Sequence, residues 1–370
     1  MKKILYGVCG IGNGHIYRQL PMLSYLAQSH KIMIFAYGDS LKFFSAYFAD
    51  HANVRIAEVA VPYYVGIRSG IDFEASAKLI EESGINYTAI NSHALAAADE
   101  YLGQADLAIS DYEPTTAQYA YAHGVPLVTI DQQSKYLSGA FPDELQGTTY
   151  VDEVVRLQMF FPTAAARIAC SFFKVPQRPG SQKVYLFPPV LRSDFRRHEE
   201  RKPNELLVYL SAQQGLHQNH ASLINVLAQE SSTIFHVFLP KNASLPLVPS
   251  RNVRLYHHGD DSFKFLLETC GGIVTTAGHS LLSEAMYLGV PVLALPLPLY
   301  EQQMNAKIIR LGQFGLSSPS LTPEVLNQFI TNLTQYADNI KTDTKFLLRG
   351  DGQHAIMDFI EQQFLSSTGA

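Results

Sequence analysis

Residues 275–306 read TTAGHSLLSEAMYLGVPVLALPLPLYEQQMNA. An apolar, β-branched run, GIVTTA (272–277), ends in this stretch at Thr275–Thr276. Ala277 and Gly278 make a turn, and helical spacing begins near Ser280. GVP (289–291) stops that helix, and a second apolar run, PVLALP (291–296), follows. Strand, turn, helix and strand in this order belong to a parallel sheet with helices on its faces. The turn leaves backbone N–H groups and the positive end of the helix dipole exposed, which suits a diphosphate. Ser280 either caps the helix or bonds a phosphate oxygen. Glu284 lies one turn further along the same face, where a carboxylate accepts both hydroxyls of a ribose. Glu301, Gln302 and Gln303 come at the carboxyl end of the second strand. Amide side chains both donate and accept, as sugar hydroxyls require. Alone, these three residues read as a solvated helix start; with Glu284 at this separation the sugar-binding reading gains.

Outward from this stretch the same alternation continues. KILYGVC (3–9), KIMIFAY (31–37), VRIAEVA (54–60), DLAIS (106–110), PLVTID (126–131), RIACSFF (167–173) and KVYLF (183–187) read as strands, with helices such as 17–28 and 88–103 between them. At 188–204, PPVLRSDFRRHEERKPN, prolines and charges replace the periodicity, as in a linker. The pattern restarts with ELLVYLS (205–211), TIFHVFL (233–239) and NVRLY (252–256). The expected fold class is α/β, with two doubly wound, Rossmann-like domains in tandem at 1–190 and 205–350 and a linker at 191–204. Residues 351–370 supply a C-terminal helix with Ile356, Phe359, Ile360 and Phe364 on one face, packed on one of the domains.

Composition is consistent with this. The chain has 370 residues, more than one hydrophobic core usually covers. An apolar fraction of 47%, a charged fraction of 16% and a net charge of −5 describe an ordinary globular protein. The basic run at 192–202 is interrupted by acids, so nucleic acid is excluded as a general partner. Cys9, Cys170 and Cys270 are odd in number and form no C-x-x-C pair, which points to reduced thiols in a cytoplasmic protein. No apolar run approaches the ~20 residues that span a bilayer. MKKILYGVCG reads as a strand rather than a signal peptide.

The first strand runs into GIGNGHIYR (10–18), a second place to hold a ligand. The third glycine of a dinucleotide fingerprint would fall on His15, and no acid stands about 20 residues on; Asp39 is the nearest. NAD is therefore disfavoured. The turn sets His15 at a helix N-terminus, above the carboxyl end of strand one, the edge where open α/β sheets bind ligands. The helix dipole opposes an imidazolium there, so the expectation is a neutral ring able to accept a proton. Asp111, in SDYEP after DLAIS, comes to the same edge. It either orients His15, acts as the base itself, or caps the next helix.

These motifs resemble the nucleotide-sugar signature of GT-B glycosyltransferases, notably the MurG-type and UDP-glycosyltransferase families. Gly278, Glu284 and Glu301–Gln303 match that signature residue by residue. The resemblance spans roughly residues 1–350, and LFPPVLR (186–192) looks like the interdomain strand of these families. It implies two domains facing a central cleft, with a UDP-sugar donor bound by the second. No metal and no cofactor beyond the donor are implied, and the transfer inverts the sugar. The glycine turn would take the diphosphate, Glu284 the ribose and Glu301–Gln303 the sugar. A histidine of the family's phosphate contact aligns with Thr276, while His279 falls in the helix start; either can supply the contact. Ser211 and Gly215, in SAQQG, would touch the diphosphate, and His258 would flank the base pocket. GIGNGHIYR resembles the families' acceptor-domain loop, which puts Gly12, Asn13 and Gly14 on the acceptor side with Arg68, Gln132 and Gln133. His15 and Asp111 would be the catalytic pair. The acceptor would be a glycan, a lipid-linked molecule or a small molecule. The place would be the cytoplasm, with peripheral contact at the inner membrane face and a cell-envelope glycan as product.

Rival readings accompany these. GIGNGHIYR also resembles the loop of nucleotide-sugar hydrolases of the pseudaminic acid pathway, in which water replaces the acceptor. A silent binding module is a third possibility. GDD (259–261) opens a helix and reads as its cap rather than as a metal-held diphosphate site. His217 and His220 lack a third metal partner. SLKFFSAYF (40–48) and the aromatic run at 156–174 interleave bases with aromatics, as a membrane-facing surface does, but core packing is the favoured explanation. The loop at 61–80 offers Tyr63 and Tyr64 beside Arg68 as acceptor contacts.

Overall fold

The computed structural model describes residues 1–67, 69–141, 150–192, 195–198, 200–210, 220–240 and 250–366. These fall into two compact units. The first comprises the described residues of Met1–Ser171, Val175–Ser193 and Gly350–Ala370; the second comprises those of Phe172–Lys174 and Asp194–Arg349. The sequence pattern marks one crossing, near 191–204. The structure adds an excursion at Phe172–Lys174, where Lys174 N–H donates to Phe346 O and Leu348 N–H to Phe172 O.

The first unit holds β1 (Lys3–Val8), β2 (Lys31–Ala36), β3 (Val54–Glu58), β4 (Val65–Ile67), β5 (Gly70–Asp72), β6 (Leu107–Asp111), β7 (Leu127–Asp131), β8 (Ala166–Cys170) and β9 (Tyr185–Phe187). All but β4 and β5 form one parallel sheet in the order β3-β2-β1-β6-β7-β8-β9. Its central strands are nearly unbroken apolar runs because helices bury them on both faces. The order turns back between β1 and β6, and a ligand site in such sheets lies at the carboxyl ends of the strands flanking that point. Register pairs Val8 with Asp111, so the loop leaving β1 starts beside Asp111; Cys9 N–H donates to Asp111 O at 2.9 Å.

The C-terminal helix, Gln353–Ile360, belongs to this first unit and continues as a π-turn over Glu361–Leu365. Ile356, Met357 and Ile360 are buried with Ile4, Met22, Leu26 and Ile32, while Phe359 and Phe364 pack against the same cluster. Burying each such side chain is worth about 1.5–3 kcal/mol, enough to hold the last helix on the first sheet. The aromatic stretches at 40–48 and 156–161 each send one face into the core, through Phe44, Phe48, Leu157 and Phe161, and leave Tyr47 and Met159 exposed.

The second unit contains β10 (Lys202–Tyr209), β11 (Ile234–Leu239), β12 (Val253–His257), β13 (Cys270–Thr275), β14 (Val292–Ala294) and β15 (Gly315–Ser317). They form a parallel sheet in the order β12-β11-β10-β13-β14-β15, which turns back between β10 and β13. β10 starts earlier than its apolar run does, because its exposed polar residues join the sheet across a register shift between Lys202 and Leu206. The antiparallel pair β4–β5 and the edge strand β15 escape the sequence reading. At three residues each they are too short to show a period.

Candidate active site

In the first unit the site grows from a close approach of two loops. A Cβ on Gly10 would lie 2.1 Å from Tyr37 O, so only glycine lets the loop after β1 touch the loop after β2. Asp39 N–H donates to Gly10 O at 3.0 Å and fastens the contact. Gly12, at φ 75°, then turns the chain into the helix Asn13–Leu26. Asn13 and Gly14 are its first residues and His15 lies in its first turn. The helix thus begins earlier than the residue 17 that periodicity suggests.

His15 Nδ1 lies 3.0 Å from Asp111 Oδ1. The His15 side chain is 16% exposed and that of Asp111 is 0% exposed. Asp111 does not cap the following helix. Glu113 does so, accepting from Thr115 N–H at 2.7 Å and Thr116 N–H at 2.8 Å. Tyr112 between them takes φ 57°, a conformation a bulky residue rarely adopts and one often found at functional sites. Asp111 is therefore turned inward, toward two residues the sequence reading missed. Arg18 Nη2 donates to Asp111 Oδ1 at 2.8 Å and to Oδ2 at 2.9 Å. Gln19 Nε2 donates to Oδ2 at 2.8 Å and to Ile130 O at 3.0 Å, while its Oε1 accepts from Tyr6 OH at 2.5 Å. The available signal was spacing: Arg18 and Gln19 stand three and four residues after His15, on one helix face.

The electrostatics correct one expectation. Burial opposes the imidazolium, as the dipole argument also does, yet the Asp111 carboxylate and the Cys9 sulfur outweigh both and hold the His15 pKa above the ordinary histidine value. The neutral ring is not its resting form near pH 7. Burial likewise pushes the Asp111 carboxyl up, but Arg18 and His15 outweigh it and hold it below the usual carboxylate value.

Other acceptor-side candidates fare differently. Gln132 and Gln133 follow Asp131, which accepts from Ser134 N–H at 2.6 Å and Ser134 OH at 2.8 Å and so shapes this turn. Gln132 takes Lys135 Nζ on both its backbone and side-chain oxygens at 2.6 Å, and Gln133 Oε1 accepts from Gln132 N–H at 3.1 Å. Tyr63 is exposed, and Tyr64 packs edge-on against Phe160 with centroids 5.7 Å apart. Arg68 lies outside the described residues.

In the second unit the helix His279–Leu288 follows β13 through Thr276–Gly278. Ala277 takes φ 67°, a left-handed value uncommon for alanine. Asn305, fully buried, donates from Nδ2 to Ala277 O at 2.9 Å and ties this turn to the helix Tyr300–Leu311. Sequence reading missed Asn305. Ser280 does not cap the helix: the N-cap position is Gly278, and Ser280 falls within the first turn. The N-terminal group is met instead by Glu301, whose Oε1 accepts from His279 N–H at 3.0 Å. Glu301 is thus no solvated helix start. Glu284 is 7% exposed, one turn along from Ser280. Gln302 Oε1 accepts from Leu297 N–H at 2.9 Å, which fixes the chain leaving β14. Gln303 occupies the same helix turn. The His279 ring packs on Phe172 with centroids 5.3 Å apart, and Thr276 is buried at the strand end. His258 stacks on Tyr209 at 4.3 Å, and burial lowers its pKa. Asp260 Oδ1 accepts from Ser262 N–H at 2.9 Å at the start of the helix Ser262–Thr269, while Asp261, at the N-cap position itself, makes no side-chain capping bond. Among the described residues no group of three or more His, Cys, Asp or Glu is placed to hold a metal ion. None of their helices is long and apolar enough to cross a membrane. Ser211, Gly215 and His217 lie outside the described residues.

Two Rossmann-like units, each with a helix N-terminus at its reversal point, define the GT-B class of sugar-transferring enzymes. The chain belongs to glycosyl transferase family 1, which it matches over residues 2–334, and is a glycosyltransferase. An uncharacterized glycosyltransferase of Methanosarcina mazei is 23% identical and aligns over 98% of both chains. The solved glycotransferase of kitacinnamycin is 16% identical, with a TM-score of 0.68 over 98% of this chain and 99% of that one. A UDP-glucose:anthocyanidin 3-O-glucosyltransferase solved with UDP is 14% identical, with a TM-score of 0.68 over 96% of this chain and 94% of that one.

Proposed function

We propose that the protein transfers a sugar from a UDP-sugar to an acceptor hydroxyl, with inversion at the anomeric carbon and without a metal ion. The observation that carries the reading is His15 at a helix N-terminus with Nδ1 against the buried Asp111 carboxylate. In the neutral form of the ring, with Nδ1–H donating to Asp111, Nε2 is left to take a proton. The acceptor oxygen loses its proton to Nε2 and bonds to the anomeric carbon as the bond to the diphosphate oxygen breaks. The charge then gathering on the diphosphate is met by the N-terminus of the helix His279–Leu288. Glu284 is assigned the ribose, and Glu301 with Gln302 and Gln303 the sugar. Ser280, Thr276 and His279 stand beside the diphosphate in this reading, and His258 near the base. The UDP complex of a solved structure with this fold supports the choice of nucleotide. The acceptor class is a glycan, a lipid-linked molecule or a small molecule.

The test uses UDP-sugars with and without a panel of hydroxyl acceptors. Fast UDP release only with an acceptor, abolished in His15→Gln and retained in a chelator, is the expected result. Rapid release of free sugar without acceptor would establish a hydrolase. Undiminished transfer by His15→Gln would remove His15 from the chemistry.

A further inference from the structure

Two groups of opposite character compete for one atom of His15. Asp111 Oδ1, which only accepts, lies 3.0 Å from Nδ1; Arg18 Nη2, which only donates, lies 2.8 Å from it. A proton on Nδ1 is therefore taken by Asp111, and a bare Nδ1 is taken by Arg18. Arg18 is 6% exposed and Asp111 0%, so these charges act through little water. Cys9 faces the ring from the loop after β1, with its Sγ 3.2 Å from Tyr37 OH. Asp131, at the end of β7, adds a weaker electrostatic influence on Arg18. Among the charged groups around His15, Asp111 and Cys9 favour its imidazolium and Arg18 opposes it.

We propose that Arg18 is a positioning residue that partly neutralises Asp111 and so keeps His15 within reach of its neutral, proton-accepting form. A carboxylate left alone beside a buried imidazole forms an ion pair with the imidazolium, and an ion-paired imidazolium is no base. Sharing the carboxylate with a permanent cation weakens that pair while Asp111 still orients the ring. Arg18 reaches both oxygens of Asp111, Gln19 holds Oδ2, and Oδ1 is the oxygen that Arg18 shares with His15. The inference rests on the reading of His15 as the base.

The experiment is a histidine-ring NMR titration, with the His15 signal assigned by its absence in His15→Gln, alongside the pH–rate profile. Arg18→Met should raise the His15 pKa by about 1–3 pH units, the range expected when a neighbouring cation is removed. The acid limb of kcat should move with it and activity should recover at high pH. An unchanged or lower pKa, or a uniform loss of kcat with no shift in the limb, overturns the proposal. Should Arg18→Met fail to fold, Asp111→Asn and the double variant Asp111→Asn/Arg18→Met decide. The His15 pKa must be lower in the single variant, where Arg18 acts unopposed, and equal values overturn the proposal. These titrations need no turnover, so failure of the catalytic reading, shown by active His15→Gln, is distinguishable from failure of this one.

Discussion

Gly278→Ala separates what the fold needs at the turn after β13 from what a ligand needs. Gly278 has φ −63° and ψ 139°, backbone that an alanine adopts freely. A Cβ built there meets no described atom within 4 Å. Nearby glycines are different: on Gly272 the Cβ would lie 2.7 Å from a Leu333 methyl, and Gly289 has φ 78° at its helix end. The chain's own packing therefore does not require glycine at 278. The narrower unfolded ensemble favours alanine by about 0.4–1 kcal/mol, and the preference of an N-cap position for glycine over alanine opposes it by a similar amount, so stability should change by less than about 1 kcal/mol. For a unit of this size that moves the melting midpoint by no more than about 4 °C. The methyl, however, stands where the diphosphate must approach the backbone N–H groups of the helix His279–Leu288. UDP affinity should fall about tenfold or more, or 1.4 kcal/mol. Differential scanning calorimetry gives the first quantity and isothermal titration with UDP the second. UDP binding as tight as in the wild type would show that no diphosphate lies over this turn. A midpoint lowered by more than about 4 °C would show that the glycine serves the fold after all.

Three further outcomes follow from the same geometry. Asp111→Asn leaves Arg18 buried without its counter-charge and should cost about 3–5 kcal/mol in urea unfolding, most of it recovered in Asp111→Asn/Arg18→Met; a loss under about 1 kcal/mol contradicts a buried, intact pair. His15 has a folded pKa raised above its unfolded value of about 6.5, so its contribution to stability is full below that pH and is lost as pH rises through the raised value. The stability gap between wild type and His15→Gln should accordingly narrow from about pH 6.5 to about pH 10, and a gap that widens reverses the sign of the argument. Glu301→Ala removes the carboxylate that a diphosphate must displace from His279 N–H, so UDP should bind about fivefold more tightly while the UDP-sugar KM rises; weaker UDP binding would show that Glu301 does not compete for that group.

How far the sequence carried the reading depends on the distance over which each feature is decided. The parallel-sheet runs, the unit at 275–306 and the glycine loop before His15 were legible because period, turn residues and helix starts are local properties. The short pair β4–β5 was not legible, since pairing alone makes those residues strands. Capping shows the same limit: Asp111 is the residue type that composition favours as a cap, yet the folded chain gives the role to Glu113, with Tyr112 between them at φ 57°.

The sequence by itself determined the α/β alternation, the two-part organisation and the placing of His15 at a helix start and Glu284 one turn into another helix. Tertiary structure alone decided what surrounds them. Arg18 and Asp111 are 93 residues apart, and Glu301 is 22 residues from His279. The first pair meets because strand order turns back between β1 and β6, which sets the end of one strand against a chain segment distant in sequence. The protonation of His15 was decided there too. It follows from a buried carboxylate, a thiol and a guanidinium within reach of one ring, a balance of charges that no local pattern encodes.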